Sequence, residues 1–375
     1  MRVVHIADTH LGFQSFSRMD EKGRNLMEEC IYRDFRRAIE RIIELKPDAV
    51  VHAGDVFHHV RPRIRPLCVF KQSLESLSNA GIPVIVISGN HDAPKSYSAL
   101  SPFYLYDGMK DVYIAHRYRY ERFEVGDHVF HCIPFCFTQE DYLEEFRKID
   151  MCGSDVLVMH GLVEALRDQS MNTVGEHIVS DSFLKSDFSY IALGHYHDQR
   201  RIAQNTWYSG SIEYFNFNEA PQRKGALMVD LSTGEVESIG VPNVGMRVVE
   251  LDCSGKTAEE ILDLIEEKCG EDKNKIVRVD LRRVNRAAYR RMDQRRLSRL
   301  ASSMFCLKIK PEYDEVGRAE DIKPPERLDL EFVRFLEAEM EKIPNAIRQD
   351  VMSYGTELIR KVIERRGTEG MDASQ

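Results

Sequence analysis

The chain has 375 residues, 43% of them hydrophobic, and a net charge of −9. That length exceeds one ordinary core, so two or three domains are expected. No run approaches the ~18 apolar residues that span a bilayer, and no basic segment precedes a long apolar core at the N-terminus, so neither a membrane protein nor a secretory signal is expected.

The first apolar run, residues 2–7, opens a series of short Val- and Ile-rich stretches that continues at 48–53, 83–88, 155–159 and 190–193. Each is bounded by Gly, Asn, Asp or His, and each reads as a buried strand. A helix is expected over 26–45, with Ile31, Phe35, Ala38, Ile39, Ile42 and Ile43 at helical spacing. A second, about 66–79, stops ahead of Gly81 and Pro83. Strands alternating with helices predict an α/β domain through about residue 240. Residues 240–245 (Gly-Val-Pro-Asn-Val-Gly) read as a boundary. A smaller unit follows, with strands at 247–252, 276–282 and 305–310 and helices at 258–268 and 293–302. Pro324 and Pro325 mark a linker, and 328–366 reads as helical with a break at Ile343 and Pro344. The eight cysteines are scattered with no C-x-x-C pair, so they read as reduced, mostly buried thiols rather than a zinc ribbon.

Five blocks follow strands, where open α/β sheets bind ligands. Asp8 and His10 end the first, two apart on an extended segment and able to grip one cation. Gly54-Asp55 ends the second, with His58 close behind and His52 and His59 flanking as structural or surface histidines. Gly89-Asn90-His91-Asp92 ends the third, His160-Gly161 the fourth, and Gly194-His195-Tyr196-His197 the fifth. Singly, the first three read as well as polar turns, the lone His160 reads as structural, and the His195/His197 pair favours ligation. Together they supply carboxylate, amide and imidazole donors for two cations. That mixture suits Mn²⁺ or Fe²⁺, with Zn²⁺ also possible, better than Mg²⁺. A two-metal centre is built for in-line attack at phosphorus.

In this order, D-x-H, G-D, G-N-H-D, H and G-H-x-H resemble the pattern of calcineurin-like metallophosphoesterases, over about residues 1–240. Ala7-Asp8-x-His10-Leu11-Gly12, Gly54-Asp55-x-Phe57-His58 and Ser209-Gly210-Ser211-Ile212-Glu213 are similar to the DNA repair nucleases of the Mre-eleven and SbcD type. Two positions depart: Tyr214 stands where relatives often have Arg, and His160-Gly161 lacks the Gln common in close relatives. The resemblance implies a metallophosphoesterase β-sandwich flanked by helices (residues 1–242), a smaller α/β capping domain (243–322) that helps position DNA, and a helical partner-binding tail (323–375). It implies two Mn²⁺ per chain: one on Asp8, His10, Asp55 and His197, the other on Asp55, Asn90, His160 and His195, with Asp55 shared. His91 would stabilise the transferring phosphoryl group or protonate the leaving oxygen, and His58 would orient substrate or His91. The implied activity is Mn-dependent exo- and endonucleolytic cleavage of DNA in double-strand-break repair, in the cytoplasm and associated with the nucleoid. A small-molecule phosphodiesterase or phosphatase on the same centre, or a DNA-end tether with little cleavage, are the alternatives.

Between residues 275 and 310 there are twelve Lys and Arg against two acids. Arginine favours phosphate, so Arg290, Arg291, Arg295 and Arg296 are expected to contact DNA. Ser254-Gly255-Lys256-Thr257 is no ATP loop, because Glu250 stands where that pattern needs Gly; Thr257 with Glu260 reads as a helix cap. In the tail, Leu328, Phe332, Phe335, Leu336 and Met340 form one apolar stripe and Ile347, Val351, Leu358, Ile359 and Val362 another. The resemblance gives them a partner, an SMC-like ATPase of the Rad-fifty or SbcC type. It also implies a homodimer through 66–79 and 97–106, with Phe70, Leu74, Leu77 and Tyr104 exposed.

Overall fold

A computed structural model describes residues 1–314, apart from 17, 97–98, 151–154, 170–177 and 186, together with 332 and 349–358. The chain begins β1 (Arg2–Ile6), α1 (Leu26–Leu45), β2 (Ala49–His52), α2 (Ile64–Asn79), β3 (Val84–Ile87), β4 (Val112–Ala115), β5 (Glu121–Val125) and β6 (His128–Ile133). It continues with α3 (Gln139–Phe146), β7 (Asp155–His160), β8 (Leu162–Val163), β9 (Ile178–Val179), β10 (Tyr190–Gly194), β11 (Arg200–Ala203), β12 (Thr206–Tyr208), β13 (Ala226–Asp230) and β14 (Glu235–Ile239). The last elements are β15 (Met246–Asp252), α4 (Ala258–Cys269), β16 (Ile276–Val284), α5 (Arg286–Arg290), α6 (Gln294–Ser303) and β17 (Cys306–Tyr313).

Two six-stranded sheets, β14-β13-β1-β2-β3-β4 and β11-β12-β10-β7-β6-β5, pack face to face. Val3, Val51, Ile85, Phe130, Val156 and Ala192 fill the space between them. Alternate residues of the first sheet, such as Val4, Val50 and Val86, pack against α1 and α2. The second sheet turns Leu157, Met159 and Ile191 to Tyr142 of α3. Burial on both faces is why the central strands are continuous apolar runs, and why they were visible in the sequence. The β-sandwich flanked by helices is therefore the expected one. The edge strands β5 and β14 mix charge into their pattern and lack that signature.

The helix expected at 26–45 is α1. Asn25 caps it, its side chain accepting from the N–H groups of Met27 and Glu28 at 3.0 and 3.1 Å. After residue 245, β15, β16 and β17 make a parallel three-stranded sheet with a core of Val249, Ile261, Ile265, Val279 and Leu281. Thr257 and Glu260 cap α4 reciprocally, the role expected instead of a phosphate loop.

One expected surface is core. Phe70, Leu74 and Leu77 are each 2% exposed or less, because the apolar stripe of α2 lies against the first sheet. Phe70 meets the rings of Phe35, Phe57, Phe103 and Tyr106. Among the described residues, the exposed large apolar groups of this region are Ile64, Leu100, Tyr104 and Leu105. The tail stripes fall mostly outside the described residues; residues 349–358 are helical, and Phe332 lies against Gly355. Among the described residues no helix is long and apolar enough to cross a membrane.

Candidate metal centre

The five blocks converge at the ends of β1, β2, β3, β7 and β10. Glycines permit this approach. A methyl at position 194 would overlap the carbonyl oxygen of Ala53, and one at position 54 would overlap the His160 ring. Asp8, His10, Asp55 and His195 all adopt positive φ, at 52°, 42°, 54° and 100°. Non-glycine residues seldom do so, and such strain concentrates where side chains must be aimed at a ligand.

Three groups of donors result among the described residues, the third of them His10 with His58 and His91. Asp8, His10 and His197 place ligand atoms within 4.8 Å of one another, and so do Asp55, His160 and His195. Asn90 joins the second group: its Oδ1 is 3.0 Å from both His160 Nε2 and His195 Nδ1. Asp55 lies between the first two groups, its Oδ2 3.4 Å from His160 Nε2 and 3.7 Å from His10 Nε2. All seven expected ligand residues are therefore brought together. Asp8 and Asp55 are almost completely buried. Two buried carboxylates ringed by imidazole nitrogens, two of which face each other at 3.2 Å (His10 and His197 Nε2), are a donor set that fits cations.

Burial raises Asp8 from its ordinary value. Burial opposes the Asp55 charge as well, but His160 beside it holds that carboxylate well below the usual range. Conversely, burial opposes protonation of His160, yet Asp55 raises it to about 9. Burial and the neighbouring imidazoles hold His10 the other way, well below the usual histidine range.

His58 and His91 sit beside the first group. His91 Nδ1 is 3.1 Å from the His58 carbonyl oxygen, and its backbone N–H donates to Asp55 Oδ1 at 2.8 Å. The two rings stack with centroids 5.1 Å apart. Burial and the neighbouring His91 and His59 lower His58 to about 4, so it is neutral at pH 7. His52 is structural, bonded to Thr9 Oγ1 at 3.0 Å, and His59 is exposed.

Three supporting residues carry no motif. Glu219 Oε1 is 3.0 Å from His197 Nδ1 and fixes which nitrogen faces the site. Lys224, buried, donates to Glu219 Oε2 at 2.7 Å and to Ser211 Oγ at 2.8 Å. Lys95 donates to the Asn90 carbonyl oxygen at 2.6 Å. A fourth, Asp92, belongs to a recognised block but takes a different place: it accepts from the N–H groups of Val56 and Gly89, both at 2.6 Å, and so locks two ligand loops together. Glu213 also turns inward. It accepts the Val244 N–H at 3.1 Å and contacts Asp34, so its carboxyl is raised by burial and by that neighbour.

The arginine run is partly spent within the chain. Arg296 is held by Glu266 and Asp263 of α4, at 2.6 and 2.9 Å. Arg278 pairs with Asp280, Arg282 with Glu250 and Glu312, and Arg283 with Asp252. Arg296 therefore does not stand open for DNA as expected. Arg290, Arg291 and Arg295 have no ion pair among the described residues.

The calcineurin-like phosphoesterase pattern matches residues 1–214. Proteins named DNA double-strand break repair protein Mre11 are similar to this chain. The one from Methanocaldococcus jannaschii is 28% identical over 67% of this chain and 68% of its own length. That from Methanococcus maripaludis is 28% identical over 72% and 75%, and that from Aeropyrum pernix 30% over 67% and 63%. The metal-donor cluster and the extent of that match lead to one conclusion: the chain belongs to the calcineurin-like phosphoesterase family.

Proposed function

We propose that this chain is a metal-dependent nuclease that hydrolyses phosphodiester bonds of DNA in double-strand-break repair. The observation that carries the reading is the meeting of Asp8, His10 and His197 with Asp55, Asn90, His160 and His195 at one set of strand ends. The similarity to proteins named for break repair supplies the substrate class.

The first group with Asp55 would hold one cation and the second group with Asp55 the other, Mn²⁺ being the ion best suited to these donors. A bound pair would activate a water and neutralise charge at phosphorus. The protein's own part is orientation and proton handling. The His58 carbonyl oxygen accepts from His91 Nδ1, so His91 Nε2 is the nitrogen left to face substrate. From there, in the imidazolium form with both ring nitrogens protonated, it donates to the phosphoryl oxygens or passes its Nε2 proton to the leaving oxygen. His58 acts chiefly through that carbonyl and by stacking on the His91 ring. Arg290, Arg291 and Arg295 of the second unit contact the DNA backbone.

Two partners accompany this reading. A second copy would dock through Ile64, Leu100, Tyr104 and Leu105, the exposed apolar side chains of that region. An SMC-like ATPase would take the C-terminal helices.

Digestion of end-labelled duplex DNA in Mn²⁺, beside hydrolysis of bis-p-nitrophenyl phosphate, tests the reading. The wild-type protein should cleave both, and His91→Ala should bind DNA yet leave it intact. A protein that hydrolyses only the small ester would overturn the nuclease assignment.

A further inference from the structure

Two loops reach from the sandwich to the second unit; the first carries His10, and the second packs against His10 and His197. Beyond His10 the first loop passes Phe13 and Phe16 and reaches Arg18. The Arg18 guanidinium donates to the carbonyl oxygens of Met304 and Phe305 at 2.5 and 2.7 Å, just before β17. The second loop holds Phe215, Phe217 and Glu219. Phe215 meets His10 and His197 edge-on, with centroids 4.8 and 5.2 Å apart. Glu219 holds His197 and accepts the Phe215 N–H at 3.1 Å, so the turn is one hydrogen-bonded unit.

Phe217, between them, meets the second unit. The Arg278 guanidinium lies 5.1 Å and the Lys308 ammonium 5.9 Å from its ring centroid, and Phe16 meets its edge at 5.8 Å. Arg278 is itself fixed, donating from Nη2 to the buried Asp280 carboxylate at 3.0 Å. A cation held in place over a ring face is a directional contact. The other donor group has a different footing. His160 Nδ1 bonds the Ala53 carbonyl oxygen at 2.8 Å, and Asp55 accepts from the His91 N–H, both within the sandwich.

The sandwich anchors both halves of the metal centre, the Asp8 and His10 N–H groups donating to the Gly54 and Asp55 carbonyl oxygens at 3.0 Å. We infer that Phe217 is a positioning residue through which the second unit adds a further hold on the His10–His197 half and none on the Asp55–His160–His195 half. The inference rests on the metal-centre reading above. Any displacement of the second unit, by DNA or by a partner, would then alter one cation subsite and spare the other.

The test is titration of the full-length, metal-stripped protein with Co²⁺, followed by visible absorption, in wild type, Phe217→Leu, Phe217→Tyr, Arg278→Met and His10→Ala. Thermal melts confirm folding. Wild type should take two equivalents. Phe217→Leu and Arg278→Met should bind the first as wild type does and the second tenfold or more weakly, with a spectrum shifted toward that of His10→Ala. Phe217→Tyr, which keeps a ring for Arg278, should restore both. Wild-type affinities and spectra in both Phe217→Leu and Arg278→Met would overturn the proposal. Equal weakening of both equivalents would do the same, since it marks a merely structural role. A wild-type protein that binds no Co²⁺ would instead defeat the underlying metal-centre reading, and the proposal with it.

Discussion

His195 donates its backbone N–H to both carboxylate oxygens of Asp8, at 3.0 Å each, tying the end of β10 in one sheet to the end of β1 in the other. The bond matters because both residues hold positive φ, which ordinary side chains resist. A charge-assisted contact across the sandwich stabilises two strained turns at once. It also orients Asp8 before any ligand arrives, which is the condition for tight cation binding.

The closeness of these strand ends makes glycine obligatory at position 194. Gly194→Ala would force its methyl into the Ala53 carbonyl oxygen and the His160 ring. A loss of roughly 1–3 kcal/mol is expected, comparable to overpacking a core. Gly240→Ala, where an added methyl meets nothing within 4 Å, should change stability by less than about 1 kcal/mol. Urea unfolding of both variants measures the contrast, and equal effects would contradict the packing described.

Glu219 links the site to pH. Burial opposes its charge, but His197 and Lys224 outweigh burial and lower it from 4.5 to about 2. A carboxylate lowered on folding stabilises the protein above its unfolded pKa. That contribution, about 3 kcal/mol for a shift of this size, is lost as pH falls from 4.5 towards 2. In the metal-free protein, Glu219→Gln should flatten the acid limb of stability in this window. At neutral pH the same variant should bind metal roughly 10–100-fold more weakly, because His197 loses the group that orients it. Unfolding curves across the window and metal titration at pH 7 read the two effects separately.

The arginines of the second unit should divide by partner. Replacing Arg290, Arg291 and Arg295 with Ala should weaken DNA binding and lower the salt slope by roughly 0.9 for each phosphate contact removed. Arg296→Ala should leave that slope unchanged and lower the melting temperature, since its guanidinium holds α6 to Glu266 and Asp263 of α4. A slope that falls with Arg296→Ala alone would reverse the assignment.

Much of this was legible in the sequence because the central strands are buried on both faces. Their apolar runs end abruptly in Asp, His, Asn and Gly, so the blocks after β1, β2, β3, β7 and β10 announced themselves. Glu219 and Lys224 were hidden because they lie in a loop where neither periodicity nor motif marks them. The stripe of α2 gave Phe70, Leu74 and Leu77 a common face, but periodicity does not say whether a face meets its own sheet or another chain. The pairing of Arg296 was out of reach for a similar reason: Glu266 and Asp263 stand about 30 residues earlier and meet it only when α4 packs beside α6.

Anomalous scattering from crystals grown in Mn²⁺ tests the central claim most directly. The account predicts two peaks flanking the Asp55 carboxylate, one against Asp8, His10 and His197 and the other against Asn90, His160 and His195. A single cation, or peaks away from Asp55, would contradict it.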